Sequence, residues 1–445
     1  MEHVHSLREL AMAIRSGELS PVEHVDDVLR RLEGDTCNAV AQLLAEDALR
    51  AAEELAEELA AGNWRGPLHG VAIAVKDMFD VQGAPTRCGS NVLRDARPAA
   101  EDAAAVARLR AAGAIVVAKT HLHEFAYGPT GDVSAQGPAR NPHDRGRITG
   151  GSSSGSAAVV AAGHVPLALG TDTGCSVRTP AALCGVVGLK PGYRRLSTAG
   201  VFPLSESCDH VGLLAADVHA VGVGYDLLAR ADGTGGGIRQ PGVRGVTVGV
   251  PTDGYWRAHD PVIAAALAAA ARALADRGAN VVEVPTPGVD ELAACYRRIV
   301  GAEAYATHAE WLASRPHDYQ PITAERLLAS RDQPAVDYVD AQRTRHRLAA
   351  ELRAALGSVD VQGGVDVLLT PTTPIRATPI GQAEVDGVQV RPALLSLTLP
   401  FNLTGWPAVS VPMRPVDGGL PVGVQLVGVR VEERDVLRVA AELGS

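Results

Sequence analysis

Three five-residue runs without a polar side chain constrain this chain most: Val71-Ala72-Ile73-Ala74-Val75, Ala114-Ile115-Val116-Val117-Ala118 and Val165-Pro166-Leu167-Ala168-Leu169. Five residues are too few for a stable helix but enough for a strand. Without polar alternation, both faces of such a strand are buried. Helical patterns lie before, between and after the runs, at 41–61, 101–112, 217–230, 261–276 and 432–443. Further strand patterns fall at 185–191, 246–250, 280–284, 365–369, 407–412 and 422–427. This alternation predicts an α/β fold: a single large domain with a mixed, mostly parallel central sheet covered by helices on both faces.

One domain over 1–445 is the expected organisation, because the Gly-rich break Asp232–Gly237 does not divide two independent cores. At the N-terminus, a helix over 6–15 stops near Gly17, and Ser20-Pro21-Val22-Glu23 is a capping box with Pro at the first helical position. Residues 291–356 read as a helical excursion, interrupted near Arg315-Pro316 and Gln333-Pro334, that suits a lid or substrate wall. The chain is 46% hydrophobic, ample for a large core, but only 4% aromatic, with a formal net charge of −10. That balance excludes a nucleic-acid partner, whose affinity needs clustered Lys and Arg. Arg343, Arg345, Arg347 and Arg353 form the one basic cluster and read as a solvated helix face. Six cysteines without a CxxC pair read as reduced thiols. No apolar run reaches about 18 residues, so no membrane span is expected, and the polar N-terminus lacks a signal-peptide core; the expected location is cytoplasmic.

Chemistry concentrates in Gly150–Pro180. Gly150-Gly151-Ser152-Ser153-Ser154-Gly155-Ser156 opens a buried Ala/Val helix, and Gly170-Thr171-Asp172-Thr173-Gly174-Cys175-Ser176 follows the third apolar run. Small residues let the backbone approach a ligand, and successive free N–H groups in such a turn form an anion-binding concavity. Hydroxyls set among those donors suit acyl transfer. The literal G-x-S-x-G match at 151–155 points to Ser153, with His210, His219 and His259 as histidine candidates for a triad. No Gly-Lys-Ser/Thr follows the glycines, so a phosphate loop is excluded. His121-x-His123 lacks a third ligand at metal spacing, because Tyr127 stands where H-E-x-x-H needs histidine. No metal and no cofactor are expected. Lys76, at the mouth of a buried strand, is an unusual place for a solvating charge.

Taken together, these blocks resemble the amidase signature family: Gly150-Gly151-Ser152-Ser153-x-Gly155, then Gly170-Thr171-Asp172-Thr173-Gly174-x-Ser176-Val177-Arg178-x-Pro180. Lys76-Asp77, Glu124-Phe125-Ala126-x-Gly128, Arg140-Asn141-Pro142, Gly185-x-x-Gly-Leu-Lys-Pro191, Pro400-Phe401-Asn402-Leu403-x-Gly405 and the block 419–426 extend the likeness over most of the chain. The signature core spans about 66–215, and the likeness is weakest over about 235–360.

The resemblance implies that Ser176 is the nucleophile, Lys76 the base, and Ser152, at a cis peptide bond, the proton relay between them. It also implies an oxyanion hole from the N–H groups of Thr173, Gly174, Cys175 and Ser176, and a structural Asp172–Arg178 pair. Tyr127, Gly128 and Ser153 are the candidate substrate contacts. Cys175 and Ser154 stand where family members commonly carry glycine, so the Cys175 Cβ must fit the turn before the nucleophile. The implied partner is a small-molecule amide; a homodimer is left open. Three functions follow: a stand-alone amidase, the glutaminase subunit of a tRNA-dependent amidotransferase, or an inactive anion-binding homologue.

Overall fold

A computed structural model describes residues 6–229, 242–359 and 364–444; the break at 232–237 lies outside the described residues. Capping boxes start the first two helices, α1 (Leu7–Ser16) on Ser6 and Glu9, and α2 (Pro21–Glu33) on Ser20 and Glu23. The elements that follow are β1 (Val40–Leu43), α3 (Ala45–Ala60), β2 (Ala72–Lys76), α4 (Ala104–Ala111), β3 (Ile115–Thr120), α5 (Ser154–Ala161), β4 (Leu167–Thr171), α6 (Arg178–Cys184), β5 (Val187–Lys190), β6 (Val211–Ala215) and α7 (Val218–Ala229). Next come β7 (Thr247–Pro251), α8 (Pro261–Asp276), β8 (Asn280–Val284), α9 (Val289–Ser314), α10 (Pro321–Leu328), α11 (Ala335–Gly357) and β9 (Val367–Pro371). The chain closes with β10 (Glu384–Val385), β11 (Val388–Gln389), α12 (Val390–Ser396), α13 (Pro400–Leu403), β12 (Ala408–Met413), β13 (Val422–Gly428) and α14 (Glu433–Ala441).

Eleven strands make one sheet in the order β1-β3-β2-β4-β6-β5-β12-β13-β9-β7-β8. Parallel pairing occupies two flanking blocks, β3-β2-β4 and β9-β7-β8. β1 is antiparallel to β3, and so is every pair between β4 and β9 through the centre. Antiparallel neighbours need no crossover helix, and only a short loop joins β12 to β13. Side chains alternate between two buried faces. Ile73 and Val75 join one core with Val116, Leu169 and Leu213, while Ala72 and Ala74 join the other with Ile115, Val117 and Ala168. Helices cover both faces, as the apolar runs require.

Two expectations change. Residues 41–61 do not form one helix: 40–43 pair with the open edge of β3, and the helix starts at Ala45 with Glu46 and Asp47 in its first turn. A sheet edge supplies hydrogen bonds that helix propensity cannot foresee. Nor are the α11 arginines a uniform solvated face. Arg345 is 6% exposed and donates to the carbonyls of Leu403 (2.6 Å) and Ser207 (3.0 Å), because α13 ends against it with unpaired carbonyls. Arg343 and Arg347 do face solvent. All six cysteines are buried and free. Among the described residues, no helix is long and apolar enough to cross a membrane.

The helices α9–α11 break near the two predicted prolines. They pack on Phe125, Leu204, Cys208 and Leu403 in a cluster of their own, which roofs the ends of β2, β3 and β4.

Candidate active site

Lys76 ends β2 between β3 and β4 and is fully buried. Its Nζ donates to Ser152 Oγ and to Thr171 Oγ1, each at 2.7 Å. The adjacent carboxylate, Asp77, is taken by Lys119 at 2.7 Å, so among the described residues Lys76 forms no ion pair. Burial therefore dominates and lowers the Lys76 pKa to about 7, against the weaker opposing pull of Asp172 and Asp209. An amine that is half neutral near pH 7 and bonded to a hydroxyl can accept its proton.

The serine loop sorts its hydroxyls by partner. The Gly151–Ser152 peptide is cis. Ser152 faces Lys76, whereas the Ser153 hydroxyl donates to Thr171 O (3.2 Å) and accepts from Thr171 N–H (3.3 Å). Ser153, the residue of the literal elbow pattern, thus ties its loop to β4. Its N–H donates to Ser176 O at 3.1 Å and joins the two Gly/Ser-rich loops. The Ser154 hydroxyl is 3.0 Å from His121 Nδ1, and His121 Nε2 is 2.7 Å from Gly137 O. The His123 N–H donates to Ser152 O at 3.1 Å, and its ring lies so close over Gly128 that no Cβ could be added there. Both histidines therefore brace loops. No metal-ligand cluster exists among the described residues. His219 and His259 are exposed, and His210 Nδ1 contacts the carbonyls of Cys208 and Asp172; among the described residues no histidine hydrogen-bonds Ser153.

The second loop, 172–178, is organised by its buried ion pair. Asp172 receives Arg178 Nη2 at 2.8 Å and Nε at 3.0 Å, the N–H groups of Val177 and Arg178, and Asn402 Nδ2 at 2.9 Å. Burial alone would raise this carboxyl, but Arg178 and Asn402 overcome it and hold the pKa well below the ordinary value. Arg178 further donates to Thr398 O, Gln425 Oε1, Gly174 O and Asn402 Oδ1. Held this way, the loop leaves the N–H groups of Thr173, Gly174, Cys175 and Ser176 without a protein acceptor among the described residues, although Asp172 and Val177 on either side are bonded. Consecutive buried donors without partners make a site for negative charge.

Cys175 fits this turn without a positive φ. Its thiol contacts Gly151 O at 3.5 Å, and burial, with Asp172 nearby, pushes it up to about 12. That makes it a poor nucleophile.

Tertiary structure adds partners to the site that no local pattern assigned. Thr171 is the second partner of Lys76. Tyr296 on α9 and Leu395 on α12 cover Gly174, where an added Cβ would meet them at 2.5 and 2.7 Å. Thr173 Oγ1 donates to Asp209 at 2.5 Å, and a cavity of about 450 Å³ opens beside Thr171, lined by Met78, Phe202, Asp209 and His210. Tyr127 packs under α9–α10, and its carbonyl accepts from Arg326 Nη1 at 2.8 Å. Thr171 and Asn402 lay within recognisable sequence blocks, whereas Tyr296 and Leu395 did not.

The family model described as Amidase matches residues 23–437. The chain belongs to the amidase signature family. It is an amidohydrolase. The chain is 37% identical over 459 residues to the AtzE subunit of 1-carboxybiuret hydrolase from Pseudomonas sp. (strain ADP), covering 100% of this chain and 96% of that protein. It is 36% identical over 461 residues to a glutamyl-tRNA(Gln) amidotransferase subunit of Symbiobacterium thermophilum, covering 96% of this chain and 93% of that protein. Among solved structures, 6-aminohexanoate cyclic dimer hydrolase complexed with substrate superposes with a TM-score of 0.87 at 28% identity, covering 100% of this chain and 97% of that one. The peptide amidase PAM with chymostatin gives 0.84 at 29% identity, over 98% of this chain and 96% of that one.

Proposed function

We propose that this amidase hydrolyses a small carboxamide to a carboxylic acid and ammonia or an amine through an acyl-Ser176 intermediate. Neutral Lys76 draws the proton of Ser152, and Ser152 draws that of Ser176 as its oxygen attacks the carbonyl carbon. The carbonyl oxygen becomes an oxyanion facing the N–H groups of 173–176, which are pre-set and already without protein partners. Collapse breaks the C–N bond, and the proton returns through Ser152 to the leaving nitrogen. Water then attacks the acyl ester by the same relay. Asp172 and Arg178 position the loop and take no proton. Tyr127 and Gly128 form part of the acyl wall, while Ser153 supports the loop from behind.

The observation that carries this reading is the 2.7 Å bond between Ser152 and a buried Lys76 that pairs with no carboxylate among the described residues. The test is ammonia release from a panel of aliphatic, aryl and ureido amides, with labelling by a serine-directed phosphonate. Ser176→Ala is expected to abolish turnover and labelling, and Ser153→Ala to keep labelling. Undiminished labelling of the Ser176 variant places the nucleophile elsewhere.

A second reading, the glutaminase component of an amidotransferase, is favoured by the 36% identity to such a component over 96% of the chain. Glutamine hydrolysis that requires added partner proteins supports it over stand-alone activity. Retained carboxylate binding without hydrolysis of any amide would support the inactive homologue.

A further inference from the structure

Two guanidinium groups near this site pair with no carboxylate among the described residues. Arg326 on α10 donates to Tyr127 O at 2.8 Å, and Tyr127 leads into Gly128, whose carbonyl lies beside Gly151. Arg391 comes from α12, which Thr179 Oγ1 anchors to the Ser176 loop by a 2.8 Å bond to Leu394 O. Leu395, four residues on, lies over Gly174, and a helix places residues i and i+4 on one face. Arg391 is thus one turn from the cover of the unpaired N–H groups. Its Nη1 is buried and has no hydrogen-bond partner. Both charges reach His123, which burial and these two arginines hold well below its ordinary pKa, so that ring is neutral. Burial, then the charge of Arg391, also lowers Arg326.

A buried donor left unbonded is destabilising, more so when charged, and two like charges add repulsion. The Asp172–Arg178 pair shows how this chain neutralises a buried guanidinium that has a structural role. Arg391 is only partly buried, but its buried Nη1 has no such arrangement among the described residues. A carboxylate would satisfy it, because its two oxygens match the planar guanidinium fork.

We propose that the amide substrate carries a carboxylate, and that Arg391, with Arg326 beside it, binds that group and sets specificity. This rests on the amidase reading of the same site and narrows its substrate class. Half-amides of dicarboxylic acids are the simplest members.

The experiment compares malonamate, succinamate and glutaramate with the corresponding neutral diamides, by ammonia release. For at least one chain length, kcat/KM is expected to favour the anionic member by about 10- to 100-fold, the range of a charge-assisted bond. Arg391→Ala is expected to collapse that ratio through KM, and Arg391→Lys to restore part of it. Thermal melting of each variant separates this from misfolding. In parallel, succinate or glutarate should slow phosphonate labelling of Ser176 in the wild type and not in Arg391→Ala. Equal use of diamides, or a ratio and protection unchanged in a folded Arg391→Ala protein, overturns the inference and leaves the amidase reading intact. Absence of Ser176-dependent labelling and turnover sinks that reading itself, whereas dicarboxylate binding lost with Arg391, measured calorimetrically, would still support the subsite.

Discussion

Replacing Lys76 by Met tests catalysis and stability with one change. Burial moves the lysine from 10.5 to about 7. At pH 7 about half the amines are then neutral, whereas an ordinary lysine would leave fewer than about one in a thousand. The base must be neutral, so kcat/KM is expected to rise about tenfold per pH unit below pH 7 and to level off above about 8. Lys76→Met should abolish this turnover at every pH. The stability effect runs in the opposite sense. Well below pH 7, both folded and unfolded chains carry the proton, and the folded state bears the full cost of burying it. Between about 7 and 10.5 the unfolded chain holds more protons than the folded one, so wild-type stability rises with pH through that window. At about 1.4 kcal/mol per pH unit, the displacement from 10.5 to about 7 amounts to about 5 kcal/mol. Methionine removes that cost but strands the hydroxyls of Ser152 and Thr171, which returns about 1–3 kcal/mol. The variant should therefore match or exceed the wild type in stability at pH 7, with the difference moving toward the wild type by pH 10. Denaturant unfolding across this range reads the effect directly. A wild-type rate profile that is flat or inflects near pH 10, or unfolding curves that stay parallel from pH 7 to 10, would refute the argument that burial neutralises Lys76.

Asp172→Asn should destabilise the protein by about 3–5 kcal/mol, because it leaves Arg178 charged and buried, and urea unfolding measures it. An effect below about 1 kcal/mol would mean that the pair does not hold the loop. Gly174→Ala should lower kcat strongly while the fold persists, since its Cβ meets Tyr296 and Leu395; Tyr296→Phe in that background should recover part of the activity, and no recovery would place the clash elsewhere. Cys175→Gly should retain turnover, and the wild-type enzyme should resist thiol reagents at pH 8, because its thiol is buried and pushed up to about 12. Loss of activity on alkylation of Cys175 alone would contradict that.

By itself the sequence determined the buried strands and the loops that end them. Runs such as 71–75 can satisfy their backbone and bury both faces only inside a covered sheet, and glycine clusters permit backbone approaches that other residues forbid. The family likeness points to Ser152 and Ser176 where the elbow pattern points to Ser153; in the structure Ser152 accepts a hydrogen bond from Lys76, and Ser153 bonds to β4. Tertiary structure alone decided the rest. Whether residues 40–43 become helix or strand depends on the free edge of β3, more than seventy residues away in the chain. That Arg345 is buried whereas Arg347 is exposed depends on where α13 ends. The partnerships that Thr171 and Asn402 make with the two loops were not legible in the blocks that contain them, and Tyr296 and the two arginines without a carboxylate come from helices whose local patterns encode only their own periodicity. Burial and charge at Lys76 are likewise sums over neighbours that the fold brings together. A residue's type is local, but its ionisation and its partners are set by the surroundings.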